Sequence, residues 1–254
     1  MLEIEILPIL DDNYVYLLHE PESGARAIVD PGDASPVLAH LKKTGWPISL
    51  ILCTHRHGDH VAGNLAVKAA TNARVLGPAR EAESIPGIDQ RLVEGDEVRL
   101  GRETGRVIET PGHTAGHISF WFEGAGALFS GDTLFALGCG RLFEGDAATM
   151  WRSLQKLAAL PPSTRIYCGH EYTQSNARFA LSIDPDNAAL KARAAAIDEL
   201  RRADRPTIPS TLAEELATNP FLRPDDPAIR RHLKMEDASD AEVFAEIRRR
   251  KDRA

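Results

Sequence analysis

The segment Thr54-His55-Arg56-His57-Gly58-Asp59-His60 is the most informative stretch of the sequence, and it comes directly after the apolar run Ile48–Cys53. Its imidazoles and carboxylate are donors that suit zinc and other first-row metals. They can converge only if the chain turns sharply at the end of a strand, and Gly58 is the residue predicted to permit that turn. A polar loop would explain one histidine, but clustered imidazoles repel each other when charged and gain nothing from packing. The segment therefore predicts a metal site at a strand end.

Three further segments place a ligand-type residue beside a glycine, just after a predicted strand. They contain His113, Asp132 and His170. Each is weak alone, because Gly-His and Gly-Asp are common in loops, but together with the first cluster they are a strong signal, since loops at strand ends assemble the sites of α/β folds. His117 lies four residues after His113, and we predict a supporting role for it rather than a ligand role.

Length and composition are those of an ordinary globular protein. It has 254 residues, 43% hydrophobic and 26% charged, and a formal net charge of −7. This acidity argues against nucleic-acid binding through a general basic surface. Three cysteines cannot form a disulfide scaffold, which favours a reducing compartment. The N-terminus lacks a leader pattern and no apolar stretch approaches the roughly 20 residues of a membrane span. We therefore expect a cytoplasmic protein that binds no membrane.

The pattern of secondary structure changes near residue 172. Before it, short apolar runs alternate with helical segments, which predicts an α/β layered domain over residues 1–172. After it, residues 173–254 show helical patterns and no convincing strand, which predicts a small all-helical domain. Among the helices we expect Pro36–Thr44 with Ser35 as N-cap, and two that open with capping boxes at Thr211 and Ser239.

The order of these motifs resembles the metallo-β-lactamase superfamily. The resemblance implies a four-layer αββα sandwich over about residues 1–172. It also implies two divalent metal ions, zinc first, with iron or manganese as alternatives. One ion would be held by His55, His57 and His113. The second would be held by Asp59, His60 and His170. Asp132 would bridge the two, so that Asp59 and Asp132 are the catalytic carboxylates.

Further segments resemble one family within that superfamily, glyoxalase II or hydroxyacylglutathione hydrolase, over essentially the whole chain. They are Gly131–Phe135, Gly138–Gly145, Gly169–Thr173, Asn219–Arg223 and Ile247–Asp252. The resemblance implies hydrolysis of S-D-lactoylglutathione to glutathione and D-lactate by a metal-bridging hydroxide, the second step of methylglyoxal detoxification. It also implies substrate contacts from Arg141, Phe143, Tyr172, Arg248 and Lys251.

Four positions depart from the pattern of that family, and one of them is Ala62, which stands where Gly is usual. Arg141 stands where Lys is frequent, Phe143 where Tyr is frequent, and Arg56 where many members have a non-ligand His. Arg141 keeps the positive charge, whereas Phe143 loses a hydroxyl and with it one polar contact.

The basic C-terminal residues fit an anionic substrate on physical grounds. Residues 248–253 carry five cations and one Asp, and Arg248 and Lys251, three apart, share one face of a helix. Cations at a helix C-terminus also complement its dipole, which explains Arg249 or Arg250 equally well. Arg223 and Asp30 remain open between a structural role and a supporting role in the site, with a structural role favoured for Arg223.

Several other functions remain as alternatives. A glutathione-persulfide dioxygenase of the same superfamily would use one iron and oxygen, and a β-lactamase or lactonase is a second alternative. The basic helical tail argues against these. A non-catalytic metal-binding protein would be favoured by a missing ligand, and no ligand of the pattern is missing. A monomer is expected.

Overall fold

The computed structural model describes all residues, 1–254, and contains two six-stranded sheets. The first sheet has the spatial order β1 (Glu3–Ile9), β2 (Asn13–Glu20), β3 (Ala25–Val29), β4 (Leu50–Leu52), β5 (Arg74–Pro78) and β6 (Ile88–Leu92). The second has the order β14 (Ser210–Thr211), β13 (Arg165–Cys168), β10 (Ala127–Gly131), β9 (Ile118–Phe122), β8 (Glu103–Glu109) and β7 (Glu97–Leu100). A two-stranded hairpin is formed by β11 (Leu134–Phe135) and β12 (Gly138–Cys139).

Nine α-helices flank or follow the sheets. They are α1 (Ala34–Thr44), α2 (Gly58–Val61), α3 (Asn64–Thr71), α4 (Ala147–Ala158), α5 (Thr173–Ile183), α6 (Ala188–Arg202), α7 (Leu212–Thr218), α8 (Pro227–Leu233) and α9 (Asp240–Lys251). Short 3₁₀ turns cover Ala79–Ser84, Glu123–Ala125 and Pro220–Leu222. None of the helices combines the length and the apolar character that crossing a bilayer would require.

The two sheets pack face to face with helices on both outer surfaces. Phe120, Phe129 and Leu18 belong to the apolar core between the sheets. Val37 of α1 and Val67 of α3 pack with the outer residues of the first sheet. Helices α4 and α9 cover the second sheet. This arrangement confirms the expected four-layer αββα sandwich. It also explains why β9 and β10, which are buried along their whole length, are mostly apolar and carry no charged residue.

One apolar core crosses the predicted boundary at residue 172. It joins Leu128 and Ile166 of the second sheet to Leu154 of α4 and to Phe244 and Ile247 of α9. The division into residues 1–172 and 173–254 therefore stays a prediction. The C-terminal part is helical apart from β14, whose two residues pair with β13 and extend the second sheet.

The sequence predicted some helix caps and strands correctly and missed others. Both capping boxes are present, at Thr211 and at Ser239. The prediction of Ser35 as the N-cap of the first helix was wrong, because the Asp33 carboxylate accepts the Ser35 N–H and α1 begins at Ala34, two residues before the predicted start at Pro36. Strands β6, β11, β12 and β14 were not predicted, because they are too short or too polar to show a period.

Candidate active site

All seven predicted metal ligands lie at one edge of the sandwich, in the four segments that follow β4, β8, β10 and β13. Asp59 and His60 belong to the short helix α2, and the other five lie on loops. Strand β4 runs parallel to β3 and β5, and β10 runs parallel to β13. The carboxyl ends of parallel strands meet at the same edge of a sheet, so ligands that are far apart in sequence come together there.

His55, His57 and His113 form the first triad of donors. The Nδ1 atom of His57 lies 3.1 Å from Nε2 of His55 and 3.0 Å from Nε2 of His113. Burial, followed by the nearby His60 ring, lowers the pKa of His55 well below its ordinary value, so the ring stays neutral and keeps a lone pair for a metal.

Asp59, His60 and His170 form the second triad. The Nε2 atoms of His60 and His170 lie 3.3 Å apart. Oδ2 of Asp59 lies 3.5 Å from Nε2 of His60 and 3.4 Å from Nε2 of His170. Burial alone would raise the pKa of Asp59, but His60 and the Asn13 amide lower it overall, so the carboxylate is ionised.

Asp132 lies between the two triads. One of its oxygens is 3.5 Å from Nε2 of His60, and the other is 3.4 Å from Nε2 of His113 and 3.3 Å from Nε2 of His170. Against the effect of burial, His60 and His170 lower the pKa of Asp132 well below its ordinary value. Its Oδ1 atom is buried without a hydrogen-bond partner. A buried carboxylate oxygen of this kind is costly unless a cation accompanies it.

The donor geometry fits divalent metal ions. In each triad the ligand atoms lie within 4.8 Å of one another. Two nitrogen ligands of one tetrahedral zinc ion are ~3.4 Å apart, because each bond is about 2.0–2.1 Å long. Converging imidazole nitrogens and an unpartnered carboxylate oxygen are both satisfied by ions between them. The residues present therefore fit a divalent metal site.

The outer nitrogens of the ligand rings are held by the protein. Asp30 Oδ2 lies 3.1 Å from Nδ1 of His60, and Asp12 Oδ1 lies 2.8 Å from Nδ1 of His170. The Arg141 carbonyl lies 2.8 Å from Nδ1 of His113. Each partner accepts a hydrogen bond from the outer N–H of its ring, which directs the lone pair of the inner nitrogen toward the site. Asp30, which the sequence left open, thus supports a predicted ligand.

Two supporting residues were missed by the sequence analysis. Asp12 and Asn13 lie at the turn between β1 and β2, where Asp12 contacts His170 and the Asn13 amide donates to Oδ2 of Asp59 at 2.9 Å. An Asp-Asp-Asn run between two apolar strands reads as a turn, and nothing local shows that it faces residues far along the chain. The only feature of the sequence that could have indicated this role is the number of hydrogen-bonding side chains in so short a turn.

His117 supports Asp132 rather than a metal. It is fully buried, and its Nε2 accepts the backbone N–H of Asp132 at 3.0 Å. The ring proton is therefore on Nδ1, which lies 2.9 Å from the Thr110 hydroxyl. Burial, followed by the nearby His113, lowers the pKa of His117 and keeps the ring neutral.

The backbone packs closely against Asp59 and Asp132, and this close packing requires Gly32 and Gly140 rather than Gly58. A Cβ atom on Gly32 would lie 1.7 Å from the Asp59 carbonyl oxygen, and one on Gly140 would lie 1.9 Å from that of Asp132. A Cβ atom on Gly58 would meet nothing, and Gly58 simply begins α2. The turn therefore does not draw on the conformational freedom for which Gly58 was predicted to permit it.

The five predicted substrate-binding residues line the same cavity as several of the predicted metal ligands. Its volume is about 720 Å³. His57, Asp59 and Asp132 lie on its wall, as do Arg141, Phe143, Tyr172, Arg248 and Lys251. The cavity thus joins the donor cluster to a group of cations supplied in part by the last turn of α9.

The cations of this cavity differ in how strongly they are already paired. Arg248 is buried, donates to the Cys139 carbonyl at 2.9 Å and binds the Asp252 carboxylate at 2.8 Å. Lys251 instead has its ammonium 5.1 Å from the centre of the Phe179 ring. Burial, followed by Arg248, lowers the pKa of Lys251. Lys251 is therefore the cation that gains most from an added carboxylate, while Arg248 also fixes the β12 backbone.

Two aromatic rings border the metal ligands. The Tyr172 ring stacks on His170 with centroids 4.6 Å apart and planes 3° apart. The Phe143 ring approaches His113 edge-on at 5.3 Å and is 60% exposed. Burial, followed by Asp12, raises the pKa of Tyr172, so its hydroxyl stays protonated and can donate a hydrogen bond.

Arg223 has a structural role. Its guanidinium pairs with Asp184 at the end of α5 and with Asp226, the N-cap of α8. It does not belong to the residues lining the cavity. The three cysteines are free and buried.

Comparison with known proteins gives a consistent assignment. The family model of the metallo-beta-lactamase superfamily matches residues 9–170, and that of the hydroxyacylglutathione hydrolase C-terminus matches residues 171–254. The chain is 60% identical to a hydroxyacylglutathione hydrolase of Methylococcus capsulatus, covering 99% of this chain and 98% of that protein.

Solved structures agree on the fold. ETHE1 from Myxococcus xanthus superposes with a TM-score of 0.70 at 24% identity, covering 97% of this chain and 90% of that one. At that identity the likeness is one of fold alone. A protein crystallised in a di-iron-bound form superposes with a TM-score of 0.61 at 28% identity, covering 87% of this chain and 100% of that one. With both family models matched in sequence and a relative this close over its full length, the chain belongs to the metallo-β-lactamase superfamily and, within it, to the hydroxyacylglutathione hydrolases.

Proposed function

We propose that this chain hydrolyses the thioester bond of S-D-lactoylglutathione and related 2-hydroxyacylglutathiones, releasing glutathione and the hydroxy acid. The observation that carries the proposal is the single cavity that joins the metal-ligand cluster to Lys251 and Arg141. Glutathione carries two carboxylates and one ammonium, so its conjugates are anionic and require cations at one end of the site. A glutathione thioester that spans the cavity would contact both the metal-ligand cluster and these cations.

We propose that His55, His57 and His113 hold one ion, that Asp59, His60 and His170 hold the other, and that Asp132 contacts both. When bound, the two ions would lower the pKa of a water molecule and polarise the thioester carbonyl. Zinc is the first choice, and iron and manganese suit the same donors.

The residues around these ligands orient the substrate and the ligands themselves. Lys251 and Arg141 would hold carboxylate groups of the glutathione part, and the Tyr172 hydroxyl would bind a peptide group beside His170. Phe143 would exclude water from the acyl end, next to His57 and His113. The glutathione thiol has a pKa of about 8.5, so it leaves as a thiolate without a protein acid.

We propose a monomer that acts in the cytoplasm and binds neither nucleic acid nor membranes. The acidic net charge of −7 supports the absence of nucleic-acid binding. Three buried, unpaired cysteines support a reducing compartment.

A truncated substrate tests the recognition of glutathione. We expect kcat/KM for the lactoyl thioester of N-acetylcysteamine, which lacks both carboxylates, to fall at least ~100-fold below that for S-D-lactoylglutathione, because each lost charge-assisted hydrogen bond costs about 1.5–3 kcal/mol. Lys251→Ala should reduce the difference in kcat/KM between the two thioesters, since it removes one cation that binds a glutathione carboxylate. Equal kcat/KM values for the two thioesters would contradict the proposal.

A further inference from the structure

Glu81 is a buried carboxylate outside the predicted ligand set. It lies on the 3₁₀ turn Ala79–Ser84, directly after β5. Its Oε2 accepts the backbone N–H of Arg56 at 2.8 Å, and its Oε1 accepts the backbone N–H of Gly116 at 2.9 Å. The Glu81 side chain thus binds two backbone segments that are 60 residues apart in the sequence.

Both segments belong to loops that carry ligands of the first triad. Arg56 lies between His55 and His57, and Gly116 lies three residues after His113. The first triad draws its donors from these two loops alone. The spacing between the loops therefore sets the distance from His57 to His113, and the Glu81 carboxylate bridges that spacing.

Glu144 bridges the same two loops from the outside. Its Oε2 accepts the backbone N–H of Ala115 at 2.9 Å, and its Oε1 pairs with the Arg56 guanidinium. This ion pair gives a structural reason for an arginine at position 56. Glu144 is partly exposed whereas Glu81 is buried. Glu81 therefore joins the two loops on the inside of the protein, and Glu144 joins them near the surface.

The fit around Glu81 is tight and specific for a carboxylate. A Cβ atom on Gly116 would lie 2.7 Å from Cγ of Glu81, so a side chain there would displace it. Two N–H donors face two acceptor oxygens. A glutamine would accept from one donor and turn its own NH₂ group against the other, leaving a buried N–H unpaired.

We propose that Glu81 is a positioning residue for the first metal position, holding the loop of His55 and His57 and the loop of His113 at the separation that one ion requires. The proposal rests on the metal ligands assigned under the proposed function. It adds a residue that touches neither a metal nor the substrate and acts through two backbone amides.

Metal affinity of the full chain tests the proposal. The two stepwise zinc dissociation constants are measured by competition with a chromophoric chelator for the parent, Glu81→Gln and Glu83→Gln. Glu83 lies on the same 3₁₀ turn but is exposed and paired with Arg91, which makes it a matched control. We expect one constant of Glu81→Gln to rise about 10- to 100-fold, as for other residues that orient ligands, with the second constant and both constants of Glu83→Gln unchanged.

A double-mutant cycle assigns the effect to the first triad. In a His113→Ala background Glu81→Gln should cause no further loss of affinity. Unchanged constants in Glu81→Gln, or an equal loss in the His113→Ala background, would overturn the proposal. A purely structural role would lower the melting temperature of the metal-free protein and leave both constants unchanged, which also overturns it.

A second variant decides the matter if Glu81→Gln does not fold. Glu144→Gln weakens the outer bridge at a partly exposed position, and it should raise the same constant by a smaller factor. Two unchanged constants in Glu144→Gln would then overturn the proposal. A parent that binds fewer than two ions would instead contradict the ligand assignment itself, so the two failures are distinguishable.

Discussion

We expect two-metal loading to depend on Asp132, because its oxygens face His60 on one side and His113 and His170 on the other. We expect Asp132→Ala to reduce the metal content from two ions to at most one per chain and to abolish hydrolysis. Metal content by elemental analysis and thioester turnover check this. Asp237→Ala, at an exposed position, is the control. Two bound ions with a near-normal rate would refute the bridging assignment.

Lys251 tests substrate binding separately from chemistry. We expect Lys251→Ala to raise KM for S-D-lactoylglutathione about 10- to 100-fold, as for loss of one charge-assisted hydrogen bond, and to change kcat little, because the ammonium binds a part of the substrate remote from the thioester. Steady-state kinetics compare it with Arg253→Ala, which removes an exposed cation two positions on. An unchanged KM would remove Lys251 from the binding site.

His117 gives a pH dependence whose sign follows from its burial. Burial lowers its pKa in the folded protein, so below about pH 6.5 the unfolded chain takes up a proton that the folded chain does not. This stabilising contribution is therefore present above about pH 6.5 and lost as the pH falls. In metal-free protein, the stability advantage of the parent over His117→Gln should shrink by about 1.4 kcal/mol from pH 7.5 to pH 5.5. Denaturant unfolding at both pH values measures it, and a constant difference would contradict it.

At the scale of single residues, the predicted ligands were easier to recognise in the sequence than the residues that hydrogen-bond to them. The H-x-H-x-D-H run and the three later ligand-type residues were recognisable because metal chemistry restricts residue type and spacing. Asp12, Asn13 and Glu81 were not, because each acts on a residue distant in the chain and any polar turn could contain them. Their roles appear only when the β1–β2 turn and the turn after β5 are placed beside the ligand loops.

At the scale of elements, α9 connects helix capping to the cavity. Its first residues form the Ser239–Glu242 capping box, and its last turn carries Arg248 and Lys251. We expect Ser239→Ala to lower the free energy of unfolding by about 1 kcal/mol, whereas Ser239→Thr, which keeps the hydroxyl that pairs with Glu242, should change it much less. Thermal or denaturant unfolding of both variants measures this. Equal stability of Ser239→Ala and the parent would show that the box contributes nothing.

The predictability of elements followed the strength of their local signal. Helix α9 was recognisable because a capping box and a basic last turn mark its two ends. Strand β14 was not, since two residues carry no period and pair only because β13 offers a free edge. The hairpin β11–β12 was likewise hidden, although it places Phe135 and Cys139 on the wall of the cavity.

At the scale of the whole molecule, one apolar core ties the helices after residue 172 to the second sheet. Phe179, Phe221 and Phe244 belong to the same core as Leu128 and Ile166. We expect a chain truncated after residue 172 to be insoluble or aggregated, because large apolar surfaces of the sheet and of α4 would be exposed. Solubility and gel filtration of the truncated chain check this. A soluble fragment with cooperative unfolding would show that residues 1–172 fold alone.

The fold class could be predicted because parallel strands with short loops force their ligand-bearing ends to one edge. The size of the cavity could not, since it depends on how the helices after residue 172 close against the hairpin and the ligand loops. That closure brings Lys251 into the same cavity as His57. The account as a whole therefore depends on a two-metal centre and a glutathione-binding end acting together on a thioester.

The most direct test is hydrolysis of S-D-lactoylglutathione without oxygen, with thioester loss, free thiol and metal content measured on the same sample. We predict turnover with one thiol released per thioester, on protein carrying about two divalent ions per chain. A lack of turnover on fully metal-loaded protein, or a strict requirement for oxygen, would contradict the account, and glutathione persulfide with oxygen would be the next substrate to test.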